Sequence, residues 1–374
     1  MKILYITDAL AIWGGLERVL VEKANYLATN DRYEVFMLTI SQSEHNFPFP
    51  LDKKVAHVDL NIPFYAQYQF SGIRRLLSLR RLHRECRKGI RQQLDDLKPD
   101  AIVCTRIEFV KDICKVKSEK CPLVFESHSS FWTSRFEGAG LLRRLHTWWM
   151  NQSARRVQAV VALTEGDAAE WRKVNKSVCV IPDVVRVRKE GVRRGGGKSA
   201  VFVGRMSRQK DIGSLLTIWR MVRQQYPDWQ LHVYGEKGDV EEPLWQQLQE
   251  EGNGITVHSP TADILDVYQQ HAMLLLTSRY EPFGMVLPEA MSCGLPVVSF
   301  DCPYGPADII TDGVDGYLVR NRNIEDFADK VCQLIGNEEL RCEMGQVAIH
   351  SSQRYQADRI MPAWCELFDL LCAK

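Results

Sequence analysis

The sequence predicts an α/β protein of two doubly wound halves that face one another across a cleft. Three observations carry this expectation. Short apolar runs alternate with segments of helical spacing along the whole chain, which is the pattern of a parallel sheet covered on both faces. A basic, glycine-rich stretch at 183–198, DVVRVRKEGVRRGGGK, lacks apolar periodicity, and the alternation restarts after it. The chain of 374 residues exceeds what one hydrophobic core ordinarily serves.

The elements follow in order. MKILYITD (1–8) is an apolar run and the first strand. Gly14-Gly15 turn the chain into LERVLVEKANYLA, apolar at helical spacing, and YEVFMLTI (33–40) is the next strand. A helix at 70–97, strands at 101–105 and 122–127, a long helix near 140–155, and strands at 159–164 and 178–182 complete the first half. The second half opens with SAVFVG (199–204) and a helix at 211–225. Strands at 229–235, 255–259 and 272–278 lead to a short helix at 288–293. Strands at 296–301 and 316–319 precede helices at 324–335 and about 338–350. A last helix at 356–372 puts Trp364, Leu367, Phe368 and Leu371 on one face. The expected division is 1–185, 186–355 and a terminal helix at 356–374.

Composition narrows the function. The chain is 45% hydrophobic and 25% charged, an ordinary globular mixture. Net charge is +1, yet residues 1–185 hold 28 Lys and Arg against 21 Asp and Glu, and the remainder holds 20 against 26. The first half should therefore favour anionic surfaces. Eleven scattered cysteines without a CxxC pair point to reduced thiols in a cytosolic protein, not a zinc site or a disulfide framework. The N-terminus carries no signal-peptide pattern, and no run is long enough to span a membrane.

In doubly wound sheets, ligands bind at the carboxyl ends of the strands. Each motif falls just after such an end. RYEPFGMVLPEAMSCGLPVV (279–298) places Glu281 in a loop and Glu289 in the first turn of the helix beyond it. A helix start preceded by a flexible loop offers free N–H groups to phosphate or sugar hydroxyls, and Glu289 can accept from a vicinal diol such as a ribose. Its plainer role is to complement the helix dipole. VGRMSRQKD (203–211) sets Arg205 and Lys210 five residues apart across a loop, so both can fold over one anion. Fixed cations of this kind stabilise a departing diphosphate; both are expected to be exposed in the open cleft. Gly14-Gly15 follow the first strand without a GxGxxG fingerprint, which weighs against a nicotinamide oxidoreductase. His128 ends strand 122–127, where a histidine can reach the cleft. No Asp-x-Asp triplet that would hold a divalent ion is present, so no metal and no cofactor are expected.

The pattern E-x7-E followed by AMSCGLPVV resembles the signature of the retaining glycosyltransferases of family 4, which have the GT-B fold. GR-x4-K at Arg205 and Lys210, the GGLER loop at 14–18 and His128 match the family too, closely over 199–320 and more loosely over 1–185. The resemblance implies that Glu281 lies by the donor sugar and that Glu289 holds the nucleotide ribose. It implies that the backbone at Phe283, Gly284, Met285 and Val286 contacts sugar and phosphate. Arg205 and Lys210 would then stabilise the leaving diphosphate, Gly15 would approach the phosphates, and His128 would orient the sugar. It implies a terminal helix that crosses back to the first domain. The expected activity is metal-independent transfer of a sugar from a nucleotide-diphosphate donor, on resemblance a UDP-sugar, to a saccharide or lipid-linked acceptor of a surface polysaccharide. The alternatives are a catalytically inactive nucleotide-sugar-binding partner, or a phosphorylase or epimerase on the same fold.

IRRLLSLRRLHRECRKGIRQQL (73–94) gathers Arg74, Arg80, Arg81, Arg84, Arg87, Lys88 and Arg91 on one arc of a helix. Leu76, Leu79, Leu82, Cys86, Ile90 and Leu94 fall on the other arc, expected to pack on the sheet. A solvated face would suffice to explain this. Seven like charges also suit anionic phospholipid, as do Arg143, Arg144, Trp148 and Trp149 further on. No nucleic-acid motif is present and total charge is near zero. The expectation is an enzyme held peripherally on the cytoplasmic face of the inner membrane through Arg80, Arg81, Arg84 and Lys88.

Overall fold

The computed structural model describes residues 1–188 and 197–373. They form two parallel sheets. The first comprises β1 (Lys2–Thr7), β2 (Glu34–Thr39), β3 (Ala56–Asp59), β4 (Ala101–Cys104), β5 (Leu123–Ser127), β6 (Ala159–Ala162) and β7 (Val178–Val180), in the order β3-β2-β1-β4-β5-β6-β7. The second comprises β8 (Ser199–Val203), β9 (Gln230–Tyr234), β10 (Ile255–His258), β11 (Met273–Leu276), β12 (Val297–Phe300) and β13 (Gly316–Val319), in the order β10-β9-β8-β11-β12-β13. Registers such as Ile3↔Ala101 and Leu274↔Val297 are parallel. β4, β6, β11 and β12 are buried along their whole length, which is why their sequences are apolar runs that do not alternate, broken only by Ser299 in β12.

Both sheets reverse their winding beside their first strand: β2 lies on one side of β1 and β4 on the other, and β9 and β11 flank β8 likewise. Such switch points open a crevice beyond the carboxyl ends of the strands. β1 runs into Gly14-Gly15, β5 into His128, β8 into the Arg205–Lys210 loop and β11 into the Ser278–Gly284 loop. All the sequence motifs therefore lie at carboxyl ends of the two sheets, those after β1, β8 and β11 beside the switch points and His128 one strand further out.

The helix Ala357–Cys372 packs on the Gly15–Ala28 helix and on β4 of the first sheet. Trp364 and Phe368 are fully buried there, whereas Leu367 and Leu371 are only partly covered. Arg32 pairs with Asp369 at the far end of that seam. Half of the expected linker, 189–196, lies outside the described residues; its first part, Asp183–Val185, is buried, and Val185 N–H donates to the Tyr355 carbonyl at 2.9 Å. The short strand β3 and the helices Ile107–Cys114, Glu165–Trp171, Glu242–Leu248, Ile264–Tyr268 and Gly305–Ile309 have no counterpart in the sequence reading. Each is shorter than the roughly 11 residues over which helical spacing is read.

The basic helix, Gly72–Leu97, corrects one expectation. Only Leu82, Cys86, Ile90 and Leu94 are buried; Leu76 is 47% exposed, and Ile73 and Leu77 stand in solvent beside it. The reason is length. Twenty-six helical residues extend about 39 Å, whereas a six-residue strand extends about 20 Å, so the first turns outrun the sheet. Arg87 is also not on a free basic face, because it pairs with Asp112 at 2.7 Å. Arg80, Arg81, Arg84 and Lys88 are exposed.

Candidate active site

The cleft site is built from both sheets. On the second, Thr277 Oγ1 donates to the Lys210 carbonyl at 2.8 Å, and Gln209 accepts from Arg279 N–H at 2.7 Å, tying the β8 loop to the end of β11. Asp211 caps this arrangement by pairing with Arg279 and Arg322. Lys210 lies flat over Gly204, where a Cβ would come within 2.9 Å of its Cε. Its Nζ is 2.6 Å from Glu281 Oε1, and Ser278 Oγ donates to the same oxygen at 2.6 Å. The backbone of Glu281 is held equally firmly, its N–H donating to Pro303 O and its carbonyl accepting from Tyr304 and Gly305. The pair is mostly buried, with 14% of the Lys210 side chain and 6% of Glu281 accessible. Lys210 is thus not the exposed cation expected; a carboxylate already neutralises it. Arg205 does match the expectation, being exposed with no ion pair among the described residues.

The loop that follows gives backbone, not side chains, to the cleft. Phe283 is buried edge-on against Tyr355 at 5.3 Å, and Gly284 has φ +97°, a conformation that calls for glycine. The helix Val286–Ser292 starts at Met285 with no side-chain cap, so its first N–H groups have no intrahelical partner. The helix begins two residues before Pro288, and Glu289 falls in its first turn.

The first half meets this loop directly. Gly15 opens the Gly15–Ala28 helix, and a Cβ on it would sit 3.1 Å from Met285 Sδ. One turn on, Arg18 Nη1 lies 2.6 Å from Glu289 Oε1, a contact between the two halves. Tyr268 Oη donates to the other oxygen at 3.4 Å. Burial raises the Glu289 carboxyl above the usual range, and Arg18 opposes that rise.

His128 is not open to the cleft as expected; 7% of its side chain is accessible. It stands between two carboxylates, Nε2 at 3.1 Å from Glu126 and Nδ1 at 3.5 Å from Asp183. Beneath them the buried Lys23 reaches Glu126 Oε1 at 2.5 Å and lies 3.7 Å over the Trp364 ring. Burial lowers the Lys23 ammonium and Glu126 works against this. Burial alone would raise Glu126, but Lys23 and His128 outweigh it and hold the carboxyl at about 2. Burial pushes Asp183 up to about 6, with His128 in opposition. Burial would lower His128, and the two carboxylates more than compensate. Glu126, His128 and Asp183 are close enough together to hold a metal ion. Lys23 already provides a countercharge for Glu126.

Sequence reasoning missed Lys23, Asp183 and Arg18. A signal for Lys23 exists: it falls on the stripe of Leu16, Val19, Leu20, Ala24 and Leu27, where a charge is out of place unless paired.

The comparisons now bear on this site. Residues 13–189 match the model for "Glycosyltransferase Family 4", and residues 185–351 that for "Glycosyl transferases group 1". The chain belongs to the family 4 glycosyltransferases. It is a glycosyltransferase of GT-B architecture. It is 26% identical over 389 residues to the amylovoran biosynthesis glycosyltransferase AmsD of Erwinia amylovora, covering 98% of this chain and 99% of that one. It is 27% identical over 239 residues to a poly(ribitol-phosphate) alpha-N-acetylglucosaminyltransferase of Staphylococcus aureus, covering 63% of this chain and 48% of that one. Among solved structures, S. aureus TarM in complex with UDP superposes with a TM-score of 0.79 at 16% identity, over 98% of this chain and 99% of TarM. Anabaena HepE in complex with UDP and glucose superposes at 0.73 and 19% identity, over 99% of each chain. At that identity the likeness is one of fold.

Proposed function

We propose that this glycosyltransferase moves a sugar from a UDP-sugar to a saccharide or lipid-linked acceptor in surface polysaccharide assembly, with retention of configuration and without a metal ion. The observation that carries the reading is the convergence on one cleft of Lys210 with Glu281, exposed Arg205, and Glu289 beside the uncapped start of its helix. Lys210 and Arg205 take the charge that develops on the diphosphate as the glycosidic bond breaks. Glu281 shares Lys210 with that phosphate and fixes the sugar. Glu289 accepts from the ribose diol, and the free N–H groups after Gly284 meet phosphate and sugar hydroxyls. His128, 7% accessible between Glu126 and Asp183, backs the sugar site from the first half and does not line the cleft. The UDP in the TarM and HepE complexes and the polysaccharide role in the name of AmsD point the same way.

The same reading places the enzyme on an anionic membrane surface at the cytoplasmic face of the inner membrane. The helices Gly72–Leu97, Ile107–Cys114 and Leu141–Asn151 pack side by side, linked by the His83–Asp112 pair and by Lys111 at 3.2 Å over Trp149. On this layer Ile73, Leu76, Leu77, Leu142, Trp148 and Trp149 are exposed beside exposed Arg80, Arg84 and Lys88 and beside Arg81, which pairs with Glu85 at 2.8 Å. Apolar side chains with flanking cations suit insertion at an interface. Among the described residues no helix is long and apolar enough to cross a membrane.

The test is a thermal-shift screen with UDP, GDP and ADP and their sugars, since a ligand that binds only the folded state raises its melting point. Stabilisation by UDP and its sugars is expected. NMR of the product made from the best donor should show the donor's anomeric configuration. Stabilisation by another nucleotide alone, or an inverted product, overturns the corresponding part of the proposal.

A further inference from the structure

The Arg18–Glu289 contact joins the two halves of the molecule, and the donor reading above assigns no role to it. Gly15 and Arg18 are three residues apart and share one side of the Gly15–Ala28 helix. Gly15 lets that helix approach Met285 closely, and Arg18 then reaches Glu289 at 2.6 Å. Arg18 is 19% accessible, and its guanidinium lies 5.1 Å over the Phe49 ring of its own half. It is thus seated on the first half whether or not Glu289 is near. Among the described residues of its own half, Glu289, 3% accessible, has only the Tyr268 hydroxyl as a polar partner for its carboxyl group.

A carboxylate this deeply buried is unfavourable without a countercharge. The groups that face Glu289 are Arg18 and Glu22 from the Gly15–Ala28 helix and Tyr268 from the Ile264–Tyr268 helix, with Cys293 just beyond its own helix. Glu22 is itself an acid and opposes ionisation of Glu289; Tyr268 donates one hydrogen bond; Arg18 is the cation. With the halves apart, Glu289 would lose the one charge that favours its anionic form.

We propose that Arg18 is a positioning residue for the donor ribose. It supplies, from the opposite domain, the countercharge that holds Glu289 as an oriented carboxylate, so that ribose recognition is complete only when the cleft is closed. The inference rests on the reading of Glu289 as the ribose acceptor. Arg18 occupies Oε1, which leaves Oε2 to exchange the long Tyr268 contact for a ribose hydroxyl. An open enzyme would bind nucleotide through phosphate contacts, and closure would add discrimination for the sugar of the nucleotide.

The experiment compares calorimetric binding of UDP and 2′,3′-dideoxy-UDP between pH 6 and 8.5. Hydrogen bonds to a charged group are worth a preference of roughly 10- to 100-fold, and wild type should show this for UDP across the range. Glu289→Gln should lose it. Arg18→Met should lose most of it at neutral pH and regain part of it as pH rises and Glu289 ionises unaided. Arg18→Lys should keep it. The double variant Arg18→Met with Glu289→Gln leaves no lone buried charge, and it should match Glu289→Gln alone, because Arg18 acts through Glu289. If Arg18→Met keeps the wild-type preference at every pH, or weakens both nucleotides equally, Arg18 has no positioning role. A double variant weaker for UDP than Glu289→Gln also overturns the proposal, by showing that Arg18 touches the ligand. Loss of the proposed function looks different: wild type without any preference, or Glu289→Gln that keeps it, removes Glu289 from the ribose.

Discussion

Lys210 and Arg205 are assigned the same chemical task, yet the structure gives them opposite dependence on folding. Replacing Lys210 by Ala leaves Glu281 with 6% of its side chain accessible and Ser278 as its one remaining side-chain donor. Breaking a buried pair from one side costs about 3–5 kcal/mol. Since 14% of Lys210 is accessible, the low end applies, about 3 kcal/mol. For a domain of 150–250 residues each kcal/mol lowers the melting point by about 2–4 °C, so a fall of roughly 6–12 °C is expected for the second half. The barrier to transfer should rise by about 2–4 kcal/mol, the scale of one preorganised charge. Arg205→Ala should raise the barrier similarly and leave melting unchanged, because the side chain is exposed and has no ion pair among the described residues. The double variant Lys210→Met with Glu281→Gln separates the effects. It removes both charges, so stability should return while turnover does not. Calorimetry and single-turnover transfer from the donor found in the nucleotide screen measure the two quantities. An unchanged melting point in Lys210→Ala would refute the burial argument, and near-normal turnover in the double variant would remove the pair from the mechanism.

Three further outcomes follow from the geometry. Lys23→Met should lower stability in urea by about 3–5 kcal/mol, the cost of stranding Glu126, and Lys23→Met with Glu126→Gln should recover most of it. The sign in pH is set by Glu126: its folded value of about 2 lies below the ordinary 4.5, so its stabilisation is present above 4.5 and is lost as pH falls through 2; an acid-unfolding curve of Glu126→Gln should lack that loss. Cosedimentation with anionic liposomes at low salt should vanish when Arg80, Arg81, Arg84 and Lys88 become Gln, since each cation near the surface contributes about 1 kcal/mol. Replacing Leu76, Leu77 and Trp148 by Ser should remove whatever binding persists at 1 M salt, where screening shortens to about 3 Å; retention in both variants would leave this layer solvated only. Transfer should continue in excess EDTA, and loss of turnover restored by Mg²⁺ or Mn²⁺ would overturn the metal-free assignment.

What could be read from sequence divides along physical lines. Buried strands such as AVVA and MLLL announce themselves because parallel sheets covered on both faces need unbroken apolar runs. The donor motifs are legible because each is local: Arg205 with Lys210, and Glu281 with Glu289, come from one loop each. Pairings across the chain are not legible. Arg18 and Glu289 are 271 residues apart, and Lys23 and Glu126 are 103 apart; no spacing rule connects them. The half-exposed basic helix misleads for another reason. Its wheel is amphipathic from end to end, but whether a turn meets sheet or solvent depends on how long the sheet beneath it is. A helical wheel holds no information on that length.

These long-range pairs have a common direction. Gly15, Arg18 and Lys23 lie on one helix, which touches Met285, Glu289, Glu126 and Trp364 in turn. Met285 and Glu289 belong to the start of the helix Val286–Ser292 in the second half, and Glu126 lies beneath His128. Trp364 belongs to the terminal helix, which departs from the second half and packs on the first. A shift of the Gly15–Ala28 helix relative to the second half would therefore disturb the Glu289 pair and the glycine seam together, while Lys23 and Glu126 beneath His128 move with the first half. Any motion that opens the cleft must break the Arg18–Glu289 contact, whereas the Lys23–Trp364 contact can persist as long as the terminal helix stays on the first half. If the cleft opens, the terminal helix would stay with the first half and Arg18 would be the contact that parts; in keeping with this, the lysine is sealed under the tryptophan, while the arginine that meets Glu289 keeps partial access to solvent.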